Sequence, residues 1–308
     1  MTGLEGTVSR SGVGPMLRDL VALTKPRIIS LLLVTTVAPM FVAGDPSWGL
    51  VLAVTCGGYL MAGGANAVNM YLDRDIDDRM SRTRLRPIPG GRLEATAVVA
   101  FGVALATAAT WLLAYFANFL TAALALGGFY CYVFVYTRWL KRTTPHNIVI
   151  GGAAGAFPPL VGWAAVTNEI DLGAVYLFLI VFYWTPPHFW ALALLKQVDY
   201  GRAGVPMAPL VWGEAETTRQ MVWYTVILLA LTVLPVLFGA FGLVYLVAAI
   251  AFGVPLLVGV VRTQRAADWT APARWVFKYS LLYLALLFVA MAVDRHYFVS
   301  VAPAAGVS

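Results

Sequence analysis

The chain has 308 residues, 60% hydrophobic and only 12% charged, with a mean hydropathy of +0.79. A soluble domain carries about twice that share of charge, so a soluble globular protein is excluded and an integral membrane protein is indicated. The net charge of +6 follows from topology, as the charge distribution shows, and does not mark a nucleic-acid partner.

Residues 1–20 are polar, contain Gly and Ser, and lack the apolar core of a cleavable signal. They read as a short disordered cytoplasmic tail, and the lack of a long transit peptide points to a prokaryotic plasma membrane. Residues 21–308 read as one membrane domain. A bilayer span needs about 20 apolar residues, and nine candidates follow, at about 28–44, 49–72, 95–115, 119–137, 146–166, 172–195, 220–240, 242–262 and 275–293. With the N-terminus inside, every Lys and Arg except Arg295 falls in an inner segment, whereas the outer loops hold Asp45, Glu169 and Asp171. By the positive-inside rule the expected fold is an all-α, nine-span polytopic membrane protein, N-inside and C-outside. The longest inner loops, 73–94 and 196–219, follow spans 2 and 6, which suggests two related halves, spans 1–4 and 5–8, with span 9 added. Cys56 and Cys131 lie in apolar segments with no disulfide or zinc spacing and read as packing residues.

The second span ends in the densest polar run of the chain, Asn66 to Arg86. Asn69, Asp73 and Asp77 recur at i, i+4 and i+8, so on a helix they share a face, from which Asp75 and Asp78 point away. Carboxylates converging in this way repel unless a hard cation sits between them. Asn69, Asp73 and Asp77 are therefore the expected magnesium-side groups. Asn66, Arg82 and Arg84 are expected to bind an anionic substrate, since arginine forks suit phosphate. The bland alternative is a solvated helix end whose carboxylates pair with its own arginines. Against it, Asn66 and Asn69 lie deeper in an apolar helix, where polar groups are costly unless they serve a site.

A third basic run holds Tyr136, Arg138, Lys141, Arg142 and His146. Lys141 and Arg142 are candidates for a diphosphate, with plain positive-inside anchoring as the bland reading. Tyr136, with Tyr130, Tyr132, Phe134, Trp184 and Trp190, could wall an apolar tube and shield a carbocation with its ring face. The segment from Trp184 to Met207 contains Pro186-Pro187, expected to break or bend the helix, and then His188, Lys196, Asp199 and Arg202. His188 and Asp199 are eleven residues apart, about 20° on one helix, and are the expected catalytic residues of this segment, with Lys196 and Arg202 expected to bind substrate; the bland reading of a lone membrane histidine is a packed, hydrogen-bonded residue. Breaking a carbon–oxygen bond to diphosphate leaves developing negative charge, which magnesium and arginine stabilise. A dry membrane pocket protects the allylic cation left behind.

These residues carry a resemblance. Asn69-x-x-x-Asp73-x-x-x-Asp77 is similar to the acidic motif of the UbiA superfamily of intramembrane prenyltransferases. TKPRIISLLL, YLDRDIDDRMSRTRLRPIPGGR, YTRWLKRTTPHNIVIGGAAGAFPPLVGW and WTPPHFWALALLKQVDYGRAGVPM resemble its heme-modifying branch, over about residues 24–213. The superfamily's second acidic motif usually has two aspartates four apart, and here only Asp199 is evident. The resemblance implies a UbiA-type bundle, Mg2+ as cofactor, and a reaction in which farnesyl diphosphate alkylates a vinyl group of protoheme IX and water adds to the adjoining carbon. Heme b is then a substrate rather than a cofactor. The resemblance also implies membrane lipid as the surroundings and a heme A synthase or a terminal-oxidase assembly factor as recipient of the product. Two other classes compete. A different acceptor, an aromatic acid or quinone precursor, would be separated by product analysis. An ion-coupled transporter would show no diphosphate release, and its acidic residues would lie near the midplane.

Overall fold

The computed structural model describes residues 12–297; Arg10 and residues 298–308, included in the reading above, lie outside them. Among the described residues there is no strand. Nine helices among the described residues are long and apolar enough to cross a bilayer: span 1 (Pro26–Ala43), span 2 (Trp48–Leu72), span 3 (Ala95–Phe116), span 4 (Phe119–Thr143), span 5 (Asn147–Thr167), span 6 (Leu172–Leu195), span 7 (Glu214–Leu237), span 8 (Leu243–Arg265) and span 9 (Thr270–Arg295). Hydropathy places most ends within a few residues. Spans 7 and 9 start earlier than expected because polar residues, which hydropathy does not count, begin them. Glu214 and Glu216 lie in the first turn of span 7, where the helix dipole favours negative charge. Asp268 accepts the Thr270 N–H at 2.9 Å ahead of span 9.

Of the tail expected to be disordered, residues 1–11 lie outside the described residues, and a helix runs from Val13 to Thr24. Its polar residues hide an apolar stripe, Leu20 and Leu23, that packs on Ala67, Met70 and Val98 of spans 2 and 3. Lys25, in the left-handed region at φ 55°, turns the chain from this helix into span 1.

Each span packs on the next, and span 9 returns to span 1, so the bundle closes into a ring. Spans 1 and 5, and spans 6 and 9, also pack across it. Span 5 is thus packed against spans 1, 4 and 6. Its contact with span 1 has a local cause: a Cβ at Gly162 of span 5 would overlap the Thr36 carbonyl of span 1, so only glycine permits that approach. Span 6 runs unbroken through Pro186-Pro187, contrary to the expected break. It is packed by spans 5, 7 and 9, and this contact holds a helix that the prolines alone would interrupt. Span 4 is π-helical from Cys131 to Leu140, and span 5 is interrupted at Gly152. Such irregularities often mark functional positions.

Candidate active site

Span 2 ends at Leu72 and a short helix, Arg74–Arg79, follows, with Asp73 at the junction. The i,i+4 ladder crosses that junction: Asp73 N–H donates to Asn69 O at 2.9 Å and Asp77 N–H to Asp73 O at 2.7 Å. Asn69, Asp73 and Asp77 therefore keep a common inward face and are all buried, while Asp75 and Asp78 are exposed.

Three cations meet this face. Lys141 Nζ lies 2.5 Å from Asp73 Oδ2, and Arg86 Nη1 lies 2.6 Å from Asp77 Oδ2. Lys25 Nζ donates to Asn69 Oδ1 at 3.0 Å. That bond fixes the Asn69 amide, whose Nδ2 donates to Asp73 Oδ2 at 2.8 Å and to Thr137 Oγ1 at 3.0 Å. Thr137 comes from the π-helical part of span 4. Burial, then the nearby Arg86 and Lys141 charges, push the Lys25 ammonium down to about 7, against the pull of Asp73 and Asp77. Lys25 and Arg86 were missed as site residues in the sequence. The available signal for Lys25 was its place before Pro26, where a helix is disfavoured and the chain turns.

The second acidic segment is brought in by Ser81, whose hydroxyl donates to Asp199 Oδ1 at 2.9 Å, with Oδ2 at 3.1 Å. Tyr200, beside Asp199, lies within electrostatic reach of Arg82, Asp73 and Arg86, and its hydroxyl is pushed up, chiefly by burial. The segments 73–94 and 196–219 thus form one electrostatic unit.

Several expected site residues stand elsewhere. Asn66 is rotated about 60° from Asn69 on the helix, and its Nδ2 donates to Thr24 O at 3.0 Å. It secures the turn that carries Lys25 and does not join the carboxylates. Arg142 makes a two-pronged pair with Asp75, both bonds 2.7 Å, and also bonds Leu72 O at 2.6 Å. It clamps the outer flank of the junction, and its guanidinium holds the Asp75 carboxyl down at about 2. Arg82, Arg84 and Arg202 are exposed and Lys196 is half-buried; among the described residues none has a side-chain hydrogen bond or ion pair. Tyr136 stacks on Tyr132 at 5.8 Å and covers Gly151. Tyr130 and Phe134 face outward, and Trp184 and Trp190 are buried in the core around span 6, so the expected aromatic wall is reduced to Tyr132 and Tyr136.

His188 does not share a face with Asp199. Span 6 ends at Leu195 and Lys196 breaks the helix at φ −123°, ψ 15°, so counting eleven residues along one helix fails. His188 Nδ1 lies 2.8 Å from Ser280 Oγ of span 9, and its ring stacks between Trp184 and Phe277 at 4.5 and 4.8 Å. This is a packed, hydrogen-bonded core histidine.

Among the described residues no three His, Cys, Asp or Glu side chains gather as a metal cage. Yet Asp73 Oδ1 is buried without a hydrogen-bond partner, an arrangement that costs free energy unless something else meets that oxygen. Two carboxylates, an amide and an orphaned oxygen fit magnesium, which is commonly held by one or two carboxylates with the remaining positions filled by substrate phosphates and water.

A model of the UbiA prenyltransferase family matches residues 31–304. The chain belongs to the UbiA prenyltransferase family. Within that UbiA family, a protoheme IX farnesyltransferase of Roseiflexus castenholzii is 56% identical over 299 residues, 96% of this chain and 56% of the relative. The chain thus spans about half the length of the first relatives it matches. A protoheme IX farnesyltransferase of Symbiobacterium thermophilum is 50% identical, over 91% of this chain and 95% of the relative. The structure of a UbiA homolog from Archaeoglobus fulgidus bound to DMAPP and Mg2+ has a TM-score of 0.65 at 14% identity, over 89% of this chain and 99% of that one.

Proposed function

We propose that this UbiA-family protein transfers the farnesyl group of farnesyl diphosphate to a vinyl group of protoheme IX, with addition of water, giving heme O and diphosphate. The observation that carries prenyl transfer is the inward face of Asn69, Asp73 and Asp77, with one orphaned carboxylate oxygen and with Lys25, Lys141 and Arg86 arrayed around it. The choice of heme as acceptor is supported by the names of relatives 50–56% identical to the chain.

Asn69, Asp73 and Asp77 would hold Mg2+, which supplies charge neutralisation for the departing diphosphate. The Mg2+ named in the Archaeoglobus fulgidus homolog supports this. Lys25, Lys141 and Arg86 then turn from the protein's own oxygens to those of the diphosphate. The C1–O bond breaks and its electron pair leaves with the diphosphate. The vinyl π electrons form the new bond to C1, and the resulting cation beside the porphyrin ring is captured by water, which loses a proton. Asp199 is held by the Ser81 hydroxyl and has no cation paired with it; it is the carboxylate suited to take that proton. The surrounding spans exclude bulk water from the allylic cation.

The charge asymmetry supports an N-inside, C-outside topology with the site at the cytoplasmic edge, and a prokaryotic plasma membrane is in keeping with the Roseiflexus and Symbiobacterium relatives. Delivery of product to a heme A synthase or a terminal-oxidase assembly factor rests on the family resemblance alone. The test is mass spectrometry of heme after incubation of the purified protein with farnesyl diphosphate and Mg2+. The expected product is heme heavier by one farnesyl group and one hydroxyl group. Diphosphate release with 4-hydroxybenzoate but not with heme would replace the acceptor, and no diphosphate release with any acceptor would overturn prenyl transfer.

A further inference from the structure

A second cavity, of about 250 Å3, shares no residue with the carboxylate site. It is lined by His146, Trp190, Trp212, Glu216, Gln220 and Tyr224. His146 stands directly before span 5, and Trp212 and Glu216 stand at the start of span 7. Trp190 is five residues from the end of span 6, or about 8 Å at 1.5 Å per residue. The cavity therefore lies at the basic end of the bundle, beside the polar start of span 7, and reaches Tyr224, about 15 Å along that helix.

Its walls are aromatic and steeply inclined. Trp190 and Trp212 meet at 77° with centroids 5.8 Å apart, Trp190 and Tyr224 at 90° and 5.4 Å, and His146 and Trp212 at 61° and 5.0 Å. Rings set this way, with a carboxylate on the rim, form the kind of cage that recognises organic ammonium ions. Glu216 is held only by Gln220 at 2.7 Å and by a largely exposed Arg219 at 2.6 Å, and an exposed pair of this kind yields easily. The volume lies below the roughly 300–1,000 Å3 of pockets for drug-sized ligands, which suits a headgroup and not a tetrapyrrole.

We propose that this cavity binds the ammonium of a zwitterionic phospholipid headgroup, held against Trp212, Tyr224 and Glu216. The inference does not depend on the prenyl-transfer reading. Native mass spectrometry of the full chain, loaded with phosphatidylethanolamine, phosphatidylcholine or phosphatidylglycerol of identical acyl chains, tests it. The wild type should retain the two zwitterionic lipids about thirtyfold better than phosphatidylglycerol, the size of one desolvated cation–π contact. Trp212→Leu and Glu216→Gln should each remove most of that preference; the second substitution conserves shape and speaks alone if the first impairs folding. Glycerophosphoethanolamine should compete with the lipid. Equal retention of all three lipids, an unchanged preference in both variants, or a preference that the free headgroup cannot compete for would overturn the proposal.

Discussion

Replacing Lys141 by Met tests how the acidic face is balanced before any ligand arrives. Lys141 Nζ lies 2.5 Å from the Asp73 carboxylate, and the side chains are 13% and 2% exposed. Removing one partner of a buried pair costs about 3–5 kcal/mol, and the slight exposure of Lys141 favours the lower end. At about 2 °C per kcal/mol for a chain of this size, Lys141→Met should lower the melting temperature by roughly 6 °C. Magnesium should then stabilise the variant more than the wild type, because it no longer has to displace an ammonium from Asp73. At a hundredfold excess over its dissociation constant it would restore about 2.7 kcal/mol. Intrinsic tryptophan fluorescence during thermal unfolding in detergent, with and without Mg2+, reads both effects. The KM for farnesyl diphosphate should also rise by about tenfold or more, since a charge-assisted bond is worth roughly 1.5–3 kcal/mol. A melting temperature within a degree of wild type, or a magnesium response no larger than wild type, would refute the view that Lys141 holds the metal position.

The remaining expectations follow from the same geometry. Asp73→Ala should abolish turnover, whereas Asp75→Ala, which frees an exposed pair worth at most about 1 kcal/mol, should change kcat/KM by less than tenfold; equal losses would refute the face assignment. Lys25 binds its proton less tightly folded, at about 7, than unfolded, at 10.5. The unfolded chain therefore holds the extra proton between these values, and metal-free stability should rise from pH 7 to about pH 10.5; Lys25→Met should flatten that slope in denaturation measured at each pH. His188→Ala should lower stability by about 2–4 kcal/mol through the lost stacking and Ser280 hydrogen bond, while the KM for farnesyl diphosphate stays within about twofold. Lost turnover in a variant that melts like the wild type would return His188 to catalysis.

What could be read along the chain is what depends on local periodicity. Nine spans follow from apolar length, and the Asn69–Asp73–Asp77 face follows from the i,i+4 repeat, which survives the helix junction because its backbone hydrogen bonds cross it. The partners of those residues were not readable. Lys25, Arg86 and Lys141 look like ordinary inner-side basic residues until the packing of three segments aims them at one face. Asn66 and Asn69 are the same residue type three positions apart, yet one is claimed by the Thr24 carbonyl and the other by Asp73. His188 and Asp199 have a convincing separation, but a one-residue break at Lys196 and the contact of span 6 with span 9 send them to different neighbours. Hydropathy and helix phase are properties of a segment alone. A buried polar atom, by contrast, takes whichever partner the tertiary packing supplies, because leaving it unpaired costs more than most local preferences.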